Sequence, residues 1–169
     1  MKKMLISLLI STTGLLFSCG GSSNEKESST LDINTKDVKG TIEAENYNKK
    51  TPLYLNNDEG KFEGIVIKYE NSEISIAPTK RNLEDIIKQR VKKNSFRATE
   101  IVSQDENSVL LKETKFEFKS GEIESEGYSF SVLIDGYDIR GKGKIPMEPI
   151  ANKEDAERLM KIAKTFKKK

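Results

Sequence analysis

The chain holds one thiol and no imidazole. Cys19 is its only cysteine, and histidine is absent from all 169 residues. A lone thiolate can act as a nucleophile or a metal ligand. It cannot close an intramolecular disulfide or build a cysteine-based zinc site. Without histidine the commonest general base is missing, and Ser-His-Asp and Cys-His catalysis are excluded. Carboxylate chemistry stays open with 27 Asp+Glu, but no spacing singles out a pair.

Other stretches carry weaker chemical signals. Asn56-Asn57-Asp58-Glu59-Gly60 has the oxygen-rich composition of a calcium loop. An EF-hand needs oxygen ligands at loop positions 1, 3 and 5 with Gly at 6, and counting back from Gly60 puts Leu55 at position 1. A turn fits the composition better, as it does for Gln104-Asp105-Glu106-Asn107. Arg140-Gly141-Lys142-Gly143-Lys144 could attract an anion, but it lacks P-loop spacing and precedes no helix. It reads as a basic, solvent-facing strand with glycines at a bulge or close contact. Lys164, Lys167, Lys168 and Lys169 could touch anionic headgroups. They also suit a helix C-terminus, where the dipole favours cations.

The charge balance narrows the partners. The formal net charge is +2, and Lys2 and Lys3 account for it, so the rest of the chain is balanced. Phosphate recognition needs a gathered positive surplus, so no nucleic-acid partner is expected.

The cysteine closes an N-terminal pattern. Lys2 and Lys3 precede an apolar run from Met4 to Phe17, too short for a transmembrane helix, and small Ser18 follows. Leu16-Phe17-Ser18-Cys19 resembles the lipobox of bacterial lipoproteins: a Leu, a loosely restricted residue, a small residue, then Cys. Phe17 is bulkier than that family's usual third-from-last residue. The resemblance implies that the Cys19 thiol receives a diacylglyceryl group, that the chain is cut before Cys19, and that the new amine is open to acylation. It implies a lipid-anchored protein of the bacterial membrane. Gly20 stands where enterobacterial inner-membrane lipoproteins carry Asp, which points to the outer membrane if the cell has one. A free thiol on an exposed tail would be reactive and partnerless, which agrees with a lipidated Cys19.

The elements that would follow such an anchor read in order. Residues 1–18 are the expected signal peptide, 19–38 the lipidated cysteine and a Gly/Ser/charge-rich flexible tether, with an edge strand near Leu31 to Ile33 as the alternative, and 39–169 one domain. "TIEAENY" and "PLYLNN" suit an edge hairpin, and "GIVIKY" and "EISIA" a second hairpin around "ENS". "NLEDIIKQRVKKN" reads as a helix capped by Asn82, with Leu83, Ile86, Ile87, Arg90 and Val91 on one stripe. Strands are expected at 96–103, 108–114, 128–134 and 137–145, the last two flanking the hairpin signal Asp135-Gly136. Phe130 and Val132 alternate with Ser129 and Ser131, which predicts one buried and one largely wet sheet face. A closing helix runs from Lys153 to about Phe166, capped by Asn152, with Ala156, Leu159, Met160, Ala163 and Phe166 inward. The expected fold is α+β: an antiparallel sheet with both helices packed on one face.

The segments "EISIAPTKRNLEDIIKQRVKKN", "YSFSVLIDGYDIRGKG" and "EDAERLMKIAKTFK" resemble the PsbP-like fold in their order of elements. That family consists mainly of binding and accessory domains, and no functional residue carries over from it. The resulting expectation is a non-enzymatic envelope module, without cofactor or metal, acting on a protein partner. The alternatives are an immunity or inhibitor lipoprotein against an envelope-targeting toxin or hydrolase, and a histidine-independent hydrolase.

Overall fold

The computed structural model of the chain describes residues 29–57, 60–91, 93–144 and 148–169. Cys19, the expected signal peptide and residues 20–28 lie outside the described residues, as do Asp58, Glu59 and Ile145. Among the described residues the chain forms ten strands and two helices.

The first strands are β1 (Ser29–Asn34) and β2 (Lys39–Ala44), then β3 (Lys49–Asn57), β4 (Gly60–Lys68) and β5 (Ser72–Pro78). Helix α1 (Leu83–Arg90) follows, started by Asn82, whose side chain accepts the Asp85 N–H at 2.9 Å. A meander of β6 (Arg97–Gln104), β7 (Ser108–Phe116), β8 (Ile123–Ile134) and β9 (Tyr137–Gly143) comes next. Asp135 and Gly136 turn β8 into β9 with φ of 51° and 82°. Two successive positive φ values match the twist of a tight hairpin. Asn152 starts helix α2 (Lys153–Lys164) by accepting the Asp155 N–H at 2.8 Å, and β10 (Lys167–Lys168) ends the chain.

The strands form two antiparallel sheets. The larger runs β3-β4-β5-β9-β8-β7-β6, and the smaller β1-β2-β10. Pro52 is tolerated because β3 is an edge strand, where a missing N–H costs least.

The core explains the layering. Ile67, Ile74, Ile76, Leu110, Phe130 and Ile139 point from the large sheet toward Ala156, Leu159 and Ala163 of α2, with Ile33 and Ile42 of the small sheet in the same cluster. The opposite face carries a smaller cluster of Val109 and Leu111 with Leu83 of α1, joined by Ile87, Val91 and Leu133. The class is α+β, but the helices cover opposite faces and not one shared face. The cause lies in β7, where Ser108 to Leu111 are four consecutive buried residues. A strand buried at every position needs cover on both sides. For the same reason Ser129 and Ser131 are buried at 2% and 0% exposure, and their face is not wet.

Three further expectations are corrected. Residues 29–38 do not belong to a tether: β1 pairs with β2, and Leu31, Ile33 and Val38 are buried. Alternation over two apolar positions is too short a signal, and the partner strand supplies the rest. Strands β2 and β3 do not pair as a hairpin, because β2 lies in the small sheet and β3 pairs with β4. Strand β9 is solvent-facing on one side only: the Arg140 and Lys142 side chains are 42% and 44% exposed, while Tyr137, Ile139 and Gly141 on the other side are buried. In α2, Ile162 is buried along with the expected residues, while Met160 is partly buried and Phe166 packs inward beyond the helix end.

Gly141 is required by contact. A Cβ there would run into the ring of Phe130, which is fully buried. Gly141→Ala is expected to lower the unfolding free energy by about 1–3 kcal/mol. Urea denaturation would show a lower midpoint at unchanged slope, and an unmoved midpoint would refute this account.

Candidate functional site

Helix α1 covers only part of its face of the large sheet. The rest of that face is built by alternation. Asp138, Arg140 and Lys142 of β9 project opposite to Tyr137, Ile139 and Gly141, and Ser75 and Ala77 of β5 project opposite to Ile74 and Ile76. Register sets Arg140 between Ser75 and Ser131, Lys142 beside Glu73, and Asp138 beside Ala77. Leu53 and Leu55 of β3 form the facing wall. Two cavities of about 150 and 400 Å³ share Leu53, Leu55, Ser75 and Arg140, and together make one trough.

Arg90 closes the α1 end of this trough. Its NH1 donates to Ser131 Oγ at 3.0 Å and to the Phe130 carbonyl at 3.3 Å. Its NH2 donates to Glu113 Oε1 at 3.1 Å and to Ser129 Oγ at 2.5 Å. The Ser129 hydroxyl in turn donates to Glu113. Burial pulls the Arg90 pKa below its ordinary value, Glu113 opposes this, and the Arg140 charge adds to the lowering. Sequence reading put Arg90 on the helix stripe without a role. The signal was present: a cation on the stripe, and small hydroxyls at alternate positions of a buried strand.

On β9, Asp138 is only 5% exposed. Its Oδ2 accepts from Arg140 Nε at 2.6 Å and from Arg140 NH2 at 2.5 Å. Its buried Oδ1 has no hydrogen-bond partner. Leaving such an acceptor unmet costs about 1–3 kcal/mol. Lys142 pairs with Glu73 at 2.9 Å. The basic stretch 140–144 therefore contributes an ion-paired trough floor. Its glycines serve close approach, Gly141 to Phe130 and Gly143 to the Glu148 and Pro149 carbonyls.

The other sequence candidates lie elsewhere. Asn57 and Gly60 face each other at the end of the β3–β4 hairpin, and Asp58 and Glu59 fall outside the described residues. Asp105 organises the β6–β7 loop: it accepts the Asn107 N–H at 3.0 Å, the Ser108 hydroxyl at 2.8 Å and Lys164 Nζ at 2.6 Å. The C-terminal lysines are partly engaged, Lys164 with Asp105, Lys169 with Asp32 and Lys168 over the Tyr137 ring. Phe96 and Phe118 stack on the surface with centroids 5.1 Å apart. Among the described residues no cluster of three acids, cysteines or histidines could hold a metal, and no helix is long and apolar enough to cross a membrane. No protein-family model, curated protein or solved structure matches the chain.

Two outcomes follow. Arg90→Ala strands the partly buried Glu113 carboxylate and two serine hydroxyls, so it is expected to destabilise by about 2–3 kcal/mol. A double-mutant cycle with Glu113→Gln should return a coupling of about 1 kcal/mol or more, and simple additivity would sink the network. The hydrogen bond from Lys164, with help from Ser108 and the Asn107 N–H, lowers the Asp105 pKa from 3.8 to about 2. A depressed carboxylate stabilises the fold above its unfolded pKa, and that contribution is lost as pH falls through the folded value. The stability gap between the wild type and Asp105→Asn should be present at pH 5 and close as pH falls from about 4 toward 2. A gap constant over that range would contradict the assignment.

Proposed function

We propose that the chain is a lipid-anchored, non-enzymatic binding module of the bacterial cell envelope, held at the outer membrane where the cell has one. The trough between β3 and α1 is its binding surface, and an envelope protein is the partner. The observation that carries this reading is the trough itself: an open, ion-paired floor fixed by strand register beside an apolar wall. Pockets with an apolar lining and a few fixed polar groups are the usual form of a recognition site. The anchor rests on Leu16-Phe17-Ser18-Cys19. Strand β1 starts at Ser29, so the covalent span from Cys19 is at most about 35 Å. That length would keep the domain close to the lipid surface. Each buried CH₂ of an acyl chain adds about 0.8 kcal/mol of membrane affinity, so two chains hold firmly. The order of elements from 62 to 168 is read as PsbP-like, a family of binding and accessory domains, which agrees with this role.

Wild-type protein expressed in a bacterium with a lipoprotein pathway is expected to incorporate labelled fatty acid and to enter the detergent phase. Cys19→Ala should lose the label and remain uncleaved. A labelled, processed Cys19→Ala protein would refute the anchor. For the trough, Leu55→Trp fills the cavity from an edge strand without touching its ion pairs. A partner cross-linked by the wild type is expected to be lost with Leu55→Trp, and retention of that partner would place its surface elsewhere.

A further inference from the structure

Away from the trough, the described surface carries an apolar cluster. Phe118 is 76% exposed, Ile123 59% and Phe96 44%. The Phe96 and Phe118 rings stack in parallel, and Ile123 pairs with Phe116, whose N–H donates to the Phe96 carbonyl. Exposed apolar groups gathered in this way mark a contact with a protein or a lipid surface.

Strand register shows where the cluster points. β8 pairs with β9 from Phe130 to Ile134, and Tyr128 bridges Ile150. Its first residues, Ile123 to Gly127, run on past the end of β9 together with β7, and the β7–β8 turn lies at their tip. Five strand residues reach about 17 Å, so the cluster sits on a prong. The chain enters the fold at the same end of the large sheet. Ser29 pairs with Ala44, and the short segment after Ala44 leads to Lys49 at the start of β3. Lys49 pairs with Lys68, Lys68 with Glu73, and Ser72 with Gly143, which is the end of the sheet that the prong projects beyond. The β1–β2 turn is tied toward the opposite end, where Asp37 accepts the Glu63 N–H at 2.8 Å.

The tether selects the occupant. At most about 35 Å of chain separates Cys19 from Ser29. With Cys19 held in lipid, the end of the sheet beside Ser29 faces the bilayer, and the prong is aimed at it. The charges around the prong nearly balance, Lys93, Arg97, Lys115 and Lys119 against Glu117, Glu122 and Glu124, so lipid charge is not what draws it. Its turn is paired within itself. The Glu117 N–H donates to the Glu122 carbonyl at 2.8 Å, the Gly121 N–H to the Glu117 carbonyl at 3.0 Å, and the Glu122 N–H to Ser120 Oγ at 3.2 Å. Paired backbone groups lower the cost of leaving water. We propose that the β7–β8 prong is a second membrane contact, with Phe118, Phe96 and Ile123 entering the headgroup–acyl boundary of the bilayer that holds Cys19. The contact presupposes the proposed lipid anchor. It would stand the strands on end to the bilayer and leave the trough open at the side.

The chain has no tryptophan, so Phe118→Trp introduces a single reporter. The full-length lipidated variant would be incorporated into phosphatidylcholine vesicles with and without lipid brominated high on its acyl chains. An apolar side chain seated about 5–10 Å into the boundary meets those bromines, so the emission should shift to the blue and fall by about half or more. The quenching should persist at high salt, because apolar burial and not charge makes the contact. Tyr54→Trp, at an equally exposed position toward the far end of β3, should stay unquenched in the same vesicles. Unquenched Phe118→Trp emission, quenching equal to that of Tyr54→Trp, or quenching lost at high salt would each overturn the prong contact. If the wild type takes up no labelled fatty acid, the anchor falls and the prong contact with it. Uptake of the label together with an unquenched Phe118→Trp counts against the prong alone.

Discussion

The attachment of α1 to the sheet through Arg90 is the interaction on which the rest of the site depends. An eight-residue helix is too short to hold itself together in water, so tertiary contacts must fix it. Leu83, Ile87 and Val91 supply a small apolar cluster against Val109, Leu111 and Leu133. Arg90 supplies direction. One guanidinium satisfies two serine hydroxyls, a backbone carbonyl and a carboxylate drawn from β7 and β8. A planar fork of donors suits this task in a way that a lysine ammonium does not. With α1 fixed in this position, the sheet face beside it can carry Asp138, Arg140 and Lys142 as a trough floor.

Strand β9 serves the core and the trough together. Its even-numbered side chains line the trough and its odd-numbered ones enter the core, with Gly141 leaving room for Phe130. A slip of one residue would exchange the two sets. The register is pinned by the Asp135–Gly136 turn and by the Phe130–Gly141 contact. The paired charges on the trough side are kept in place by the same strand geometry that packs the core. Substitutions at the turn are therefore coupled to the site, although they lie outside it.

Several features were legible in the residues because their signals are local. Asn82 and Asn152 mark the helix starts, and each caps an N–H three residues on. The β4–β5 and β8–β9 hairpins follow from alternation and turn chemistry. The expected solvent-facing basic strand is open on one face only, because Tyr137 and Ile139 on its other face enter the core with α2, which residue type alone cannot report. The role of Arg90 was hidden for a similar reason: its partners Ser129 and Ser131 lie 39 and 41 residues away. The buried, unmet oxygen of Asp138 has no sequence signature, because it follows from burial together with the single-oxygen geometry of Arg140.

The sequence by itself determined the α+β class, the helix caps, and the β4–β5 and β8–β9 hairpins, because each rests on periods and spacings within a few residues. Only the tertiary structure decided that the helices cover opposite faces, that residues 29–34 pair with β2, and that charged side chains of β9 meet Ser75, Glu73 and Arg90's serines in one trough. Alternation along a strand says that two faces exist. It does not say what covers them, because covering groups come from distant segments and are selected by burial and charge pairing in three dimensions.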